Sequence, residues 1–238
     1  LVAFAVALGV SAAFGAAMGA AIHYLKVPSF IVTLAGMFLA RGGASVLSPD
    51  SIGIKHEFYT AVSKSYLLMP GGGRLSVVGL IMVAVFLAAI LLAHRTRFGS
   101  YVYALGGNET SAALMGVPVA RTTIQIYMLS SVLAGLAGIV FSLYTSAGYS
   151  LSALGVELDA IAAVVIGGTL LTGGYGFVAG TFIGVMLQGL VQTYIVFDGS
   201  LSSWWTKIVI GALLFMFIVL QRLIFTASAP NRKVLWKA

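Results

Sequence analysis

The sequence predicts an all-α fold: a polytopic membrane helical bundle with about seven crossings, one of them short or broken. Three observations carry that expectation. First, 60% of the 238 residues are hydrophobic and only 8% are charged, against roughly 25% charged in an ordinary soluble domain. Second, the apolar residues fall in long runs, several reaching or nearly reaching the roughly 20 residues that span a hydrocarbon core as helix. Third, the cations sit between those runs rather than on one clustered face. Thirteen Lys and Arg with six Asp and Glu cannot cover a water-soluble globule of this size, so a soluble enzyme, a disordered chain and a coiled coil are excluded. The net charge of +7 reads as the positive-inside bias of membrane proteins. Nucleic acid is not an expected partner, because that footprint needs a concentrated basic surface. With no cysteine, disulfides and Cys-based metal or redox sites are ruled out.

The first span is read at 2–22. Residues 1–22 carry no charge and no basic stretch precedes them, unlike a signal peptide. A span entered part-way along a longer protein fits better. The second is read at 27–47, the third at 75–93, the fourth at 124–144 and the sixth at 177–197. The fifth, 160–171, is too short alone and runs into Gly173, Gly174 and Gly176. It is expected either to cross as a short tilted helix or to re-enter as a broken one. The seventh, 204–220, is slightly short and contains Lys207. Trp204 and Trp205 at its start suit an interfacial belt.

Orientation follows from Lys and Arg. With seven crossings, 94–123 and the tail 226–238 fall on the cytoplasmic side and 48–74 falls outside. The cytoplasmic set is then Lys26, Arg95, Arg97, Arg121, Arg222, Arg232, Lys233 and Lys237 against Glu109 alone. The outer set is Arg41, Lys55, Lys64, Arg74 and Lys207 against Asp50, Glu57, Glu157, Asp159 and Asp198. The whole excess of +7 lies on one side. This parity requires the short fifth segment to cross.

Gly15–Gly19 and Gly180–Gly184 are GxxxG pairs, which let helix backbones approach closely in lipid. The competing reading is that glycine is simply common in membrane helices.

No nucleotide-binding, zinc-protease or nucleophile-elbow motif occurs, and no catalytic or metal-ligating residue is assigned. His23, His56 and His94 lie in three separate segments near expected membrane edges. No cofactor is expected. If the protein pumps, its energy comes from a partner or an ion gradient. Gradient coupling usually uses a carboxylate inside the bundle, and none is placed mid-span. Arg41 and Lys207 lie near outer ends, where their side chains can reach the interface. Glu157 and Asp159 lie at the start of the short span and complement a helix N-terminus. The polar uncharged residues of the spans are the remaining resource for a solute path. Gln188 and Gln192 share one helical face with Thr181, and Tyr127, Ser130 and Ser131 cluster in the fourth span. They suit a neutral, hydroxyl-rich solute; hydrogen bonding between helices is the competing use.

The most patterned polar stretch is 94–123. Asn108 is a good N-cap, and Glu109 puts a negative charge at the positive helix end. Residues 110–115 favour a short helix, Gly116 can close it in the left-handed region, and Pro118 stops it. Two turns of isolated helix are unstable in water, so the membrane surface or a partner groove must hold them.

That run, YALGGNETSAALMGVPV, is followed by an apolar span and then GVELDAIAAVVIGGTLLTGGYG. Together with the last span and basic tail, it resembles the permease subunits of bacterial ABC sugar importers of the ribose, xylose, arabinose and galactoside type. AHRTRFG, PGGGRLS and FDGSLSSWWTKIVIG look closest to galactofuranose importer permeases. The resemblance covers all 238 residues as a single transmembrane permease domain. Family members begin with further spans carrying a GGIDLSVGS-like motif that this chain lacks, so N-terminal spans are expected to be missing.

The resemblance implies a non-enzymatic subunit in the bacterial inner membrane, C-terminus cytoplasmic. It implies a second permease subunit (identical or not), a cytoplasmic ABC ATPase, a periplasmic sugar-binding protein and surrounding lipid as partners. It also implies that Asn108, Glu109, Thr110, Ser111, Ala112, Ala113, Leu114, Met115, Gly116 and Val117 form the coupling helix that docks on the ATPase. Segments 48–74, 147–158 and 198–203 would face the binding protein. The alternative is an ion-coupled secondary carrier of a small polar solute.

Overall fold

A computed structural model describes residues 2–68, 74–198 and 204–227. The PGGG stretch at 70–73, the segment 199–203 and the tail beyond residue 227, with Arg232, Lys233 and Lys237, lie outside the described residues. The chain forms a polytopic helical bundle. Six of its described helices are long and apolar enough to cross a membrane. The chain divides into two compact units, residues 1–153 and 154–238.

In the first unit, α1 (Val2–Leu25) runs further than the apolar stretch alone, because Tyr24 and Leu25 continue it. It stops where Lys26 turns left-handed and Pro28 follows. α2 (Ser29–Leu47) starts directly after that proline. β1 (Ile52–Gly53) and the amphipathic helix α3 (Glu57–Lys64) follow. β2 (Tyr66–Leu68) and β3 (Arg74–Ser76) pair antiparallel, Tyr66 opposite Ser76. Ser76 then caps α4 (Val77–Arg95) by accepting from the Gly79 amide at 3.2 Å. α5 (Arg97–Gly107) and α6 (Glu109–Leu114) lead to α7 (Val119–Thr145). With 27 residues, α7 measures about 40 Å, longer than a hydrocarbon core of about 30 Å. β4 (Ala147–Gly148) closes the unit by pairing antiparallel with β1, which ties the segment after α2 to the end of α7.

The unit's main contact is α1 antiparallel on α7, and small residues make it possible. A Cβ on Gly15 would lie 2.5 Å from the Tyr127 carbonyl oxygen and 2.6 Å from Ser131 Cβ. One on Gly19 would lie 2.8 Å from Ile124 Cα. The first GxxxG pair is therefore a packing surface. Phe4 of α1 meets Phe58 and Tyr59 of α3 at ring separations of 6.2 Å, and Tyr59 reaches Ser142 of α7 at 3.5 Å.

In the second unit, α8 (Val156–Ile166) is the short segment, and α9 (Val178–Asp198) and α10 (Trp204–Ala227) are the long apolar helices. α8 and α9 run antiparallel with their backbones in contact. A Cβ on Gly180 would overlap the Gly167 carbonyl, and one on Gly184 would overlap the Ala163 carbonyl. Ala163 and Gly167 thus oppose the second GxxxG pair as another small pair four residues apart. Between the helices the chain reverses through Gly168, Gly173 and Gly174, all left-handed, a conformation that glycine takes at no steric cost. α10 packs Ile210, Leu213, Leu214 and Phe217 on Ala162 and Ile166 of α8. Sequence reasoning leaves Lys207 reaching for the interface; in the structure its ammonium donates to Asp159 of α8 at 2.7 Å.

Candidate functional site

The segment 94–123 contains one helix more than the sequence reading allows. Thr96 breaks α4 and starts α5. It is extended, and its hydroxyl accepts from the Gly99 amide at 3.2 Å. Gly99 is needed at this corner because a Cβ would overlap the Ala93 carbonyl. α5 then returns to α7, with the His94 and Tyr103 rings stacked at 6.1 Å. The signal for this helix was Thr96 as an N-cap, hidden in the basic run HRTR, which reads as loop.

Asn108 serves two helices. Its backbone amide donates to Ala104 O at 3.2 Å and ends α5. Its side-chain Oδ1 accepts from the Ser111 amide at 2.8 Å and starts α6. The other end of α6 closes in a Schellman turn: Gly116 N–H donates to Ala113 O at 3.0 Å and Val117 N–H to Ala112 O at 3.1 Å. Gly116 sits at φ +84°, the left-handed position expected of it. Pro118 directly precedes α7 and accepts from Thr122 through both amide and hydroxyl. Both ends of this short helix are closed by specific bonds, the Asn108 cap at one and the Gly116–Val117 turn at the other, so its position is set by the segments joining it to α5 and α7 rather than by helix propensity.

The ten residues expected at this site divide by burial. Ala112 is fully buried, the anchor of α6 on the unit. Asn108, Glu109, Thr110, Ser111, Ala113 and Gly116 are exposed, and Val117 is half-buried. Leu114 is 86% exposed and Met115 is 73% exposed. Leu114 and Met115 are thus two adjacent large apolar side chains left open on a short helix whose exposed polar residues are Asn108, Glu109, Thr110 and Ser111.

Replacing Asn108 with alanine removes the cap and is expected to destabilise α6 by about 1 kcal/mol, while aspartate or serine preserves it. Amide exchange at residues 111–113 checks this: protection falls in the alanine variant only.

The residues expected to line a solute path fall into the two units. On α7, Tyr127 is half-buried and Ser130 exposed. The Tyr127 carbonyl and Cβ face Gly15 and Gly19, so at this level α7 is engaged in packing on α1. On α9, Thr181 and Gln188 are half-buried and Gln192 is exposed. The Thr181 backbone packs against Gly167. A cavity of about 530 Å³ lies between α4 and α7, but its lining, including Val85, Phe86, Leu136 and Phe141, is apolar except for Tyr144 and suits a polar solute poorly.

Residues 1–218 match the model of a family described as "Branched-chain amino acid transport system / permease component". The inner membrane ABC transporter permease protein YjfF of Escherichia coli (strain K12) is 63% identical over 222 residues, covering 93% of this chain and 67% of that one. The fructose import permease protein FruG of Bifidobacterium longum (strain NCC 2705) is 38% identical, covering 94% and 67%. The ribose import permease protein RbsC of Escherichia coli (strain K12) is also 38% identical, covering 93% and 68%. The chain thus spans about two thirds of the length of these relatives. No solved structure matches it significantly.

Proposed function

The chain belongs to this permease family and, within it, to the ABC sugar permeases, and from that premise we propose that it forms the pathway of an ATP-driven monosaccharide importer. The observation that carries the reading is α6: a short helix fixed at both ends, with Leu114 and Met115 presented to solvent. An ATPase supplied by another chain needs a rigid handle of this kind. A push on α6 passes into α7 through the Gly116–Pro118 joint, and from α7 into α1 through backbone-close packing that does not deform easily. Alternating access would follow when ATP closes the ATPase pair and the helices rock with it. Gln188, Gln192, Thr181, Tyr127 and Ser130 are the first candidates to meet the solute, since amides and hydroxyls match sugar hydroxyls.

The sugar reading is preferred to an amino acid, despite the words of the family description. The fructose and ribose permeases among the relatives are so named for sugars. A zwitterionic solute also calls for charged partners, whereas the mid-span polar residues are amides and hydroxyls. Galactofuranose is the proposed sugar, supported by the AHRTRFG and FDGSLSSWWTKIVIG stretches. The C-terminus is proposed to be cytoplasmic, supported by the charge asymmetry. The short helix α8 is proposed to cross, supported by its contacts with α10 from Lys207 to Gln221.

The test is ATP-dependent uptake by the permease with its ATPase and binding protein in proteoliposomes, with labelled galactofuranose, ribose, fructose and arabinose. Galactofuranose uptake that stops without ATP is the expected result. Uptake that persists without the ATPase and collapses with an uncoupler would overturn the reading.

A further inference from the structure

The helix α8 has 11 residues, about 16 Å, roughly half a hydrocarbon core. A helix this short has too little apolar length for lipid matching to set its depth. Within its unit, two neighbours hold it, by different means. α9 holds it backbone to backbone, through Gly180 and Gly184 against Gly167 and Ala163. α10 holds it through side chains on one face. Ile210, Leu213, Leu214 and Phe217 make an apolar contact, which tolerates sliding because it has no direction.

A polar contact flanks that face at each end. Lys207 donates to Asp159 at 2.7 Å, and the Gln221 amide donates to the Val165 carbonyl at 3.1 Å. Lys207 and Gln221 are just under four helical turns apart, so they share the face, and together they permit one register only. Lys207 and Asp159 side chains are 50% and 21% exposed. Where these helix ends reach the outer interface, water can take over both charges when they part, and such a pair is inexpensive to break. The α8–α9 contact has no such replacement. At the same end, Gly155 enters α8 at φ +83°, and an ideal Cβ there would lie 3.7 Å from the Lys207 ammonium.

We propose that the Lys207–Asp159 ion pair is a latch on the outer side of the permease. Closed, it holds α8 in register on α10. Once per transport cycle it parts, and α8 swings with α9 as one body about the Gln221 contact. This rests on the transport reading above.

The test uses the complete importer in proteoliposomes. Asp159→Asn and Lys207→Met are each expected to raise ATP hydrolysis in the absence of binding protein about three- to fivefold, because a weak pair biases an equilibrium by about that factor. The exchange Asp159→Lys with Lys207→Asp is expected to return hydrolysis to near the wild-type rate. Unchanged hydrolysis in the single variants, or an exchange that behaves as their sum, overturns the latch.

Should the single variants fail to assemble, crosslinking decides. These 238 residues contain no cysteine, so once any cysteine elsewhere in the importer is replaced, Asp159→Cys with Lys207→Cys can be joined selectively by a cleavable bismaleimide. Joining is expected to stop uptake and cleavage to restore it; uptake at the unjoined rate overturns the latch. Failure of the wild type to take up any sugar counts against the transport reading instead. The latch is then decided on the protein itself, by whether the crosslinking rate changes with ATP and binding protein.

Discussion

Leu114→Asp is expected to leave the permease folded in the membrane and to strip the ATPase from it. Leu114 is 86% exposed, so the isolated permease loses no packing, and a surface change of this kind moves stability by about 0.5 kcal/mol or less. In the assembled importer the same side chain is proposed to fill a groove of the ATPase. A buried anchor of an interface is worth about 2 kcal/mol or more on truncation, which weakens binding roughly thirtyfold. A carboxylate forced into an apolar groove costs more again. The measurement is co-purification of the ATPase together with sugar uptake, beside size-exclusion of the permease alone. Adding Glu109→Lys reverses the charge at the positive end of α6 and is expected to deepen the loss. Wild-type co-purification and uptake in the double variant would refute the role given to α6.

Gly184→Leu is the second large effect, and here the loss is in the fold. A Cβ at Gly184 overlaps the Ala163 carbonyl and lies 3.0 Å from the Gly167 amide nitrogen. Both obstacles are backbone, so α8 and α9 must separate rather than repack. Overfilling a well-packed contact costs about 1–3 kcal/mol, and in lipid the hydrophobic effect does not press the helices back together. Gly189→Leu, on the same helix, is the control, because its Cβ meets open space. Thermal unfolding in detergent should show Gly184→Leu markedly destabilised and Gly189→Leu unchanged. Equal melting of the two would mean that α8 and α9 are not in backbone contact.

The residues show unequally what could be read without coordinates. α6 was legible because its causes are local: Asn108 caps, Gly116 turns left-handed, and Pro118 stops the helix, all within eleven residues. α5 was not, because Thr96 caps it from inside the basic run HRTR, where charge masks a helix start. Both GxxxG pairs were visible as candidate contacts, and neither named its partner. Gly15 and Gly19 meet α7, and Gly184 meets Ala163 on a helix of 11 residues, about half the length that hydropathy marks as a span. Lys207 read as a cation reaching for water. Asp159, which it meets instead, is 48 residues away, and nothing near either residue announces the other.

The sequence by itself determined that the chain is a polytopic membrane helical bundle, where its long apolar helices fall and where one short helix is capped. These follow from hydropathy and from interactions within a turn or two, which depend on neighbours in the chain. Only the tertiary structure decided which small faces meet, that α8 is clasped between α9 and α10, and that Ala112 points inward while Leu114 and Met115 point out. Those outcomes depend on contacts between distant segments. In a chain built largely from interchangeable apolar helices, many pairings have nearly equal energy until backbone-close glycines and a few polar contacts single one out.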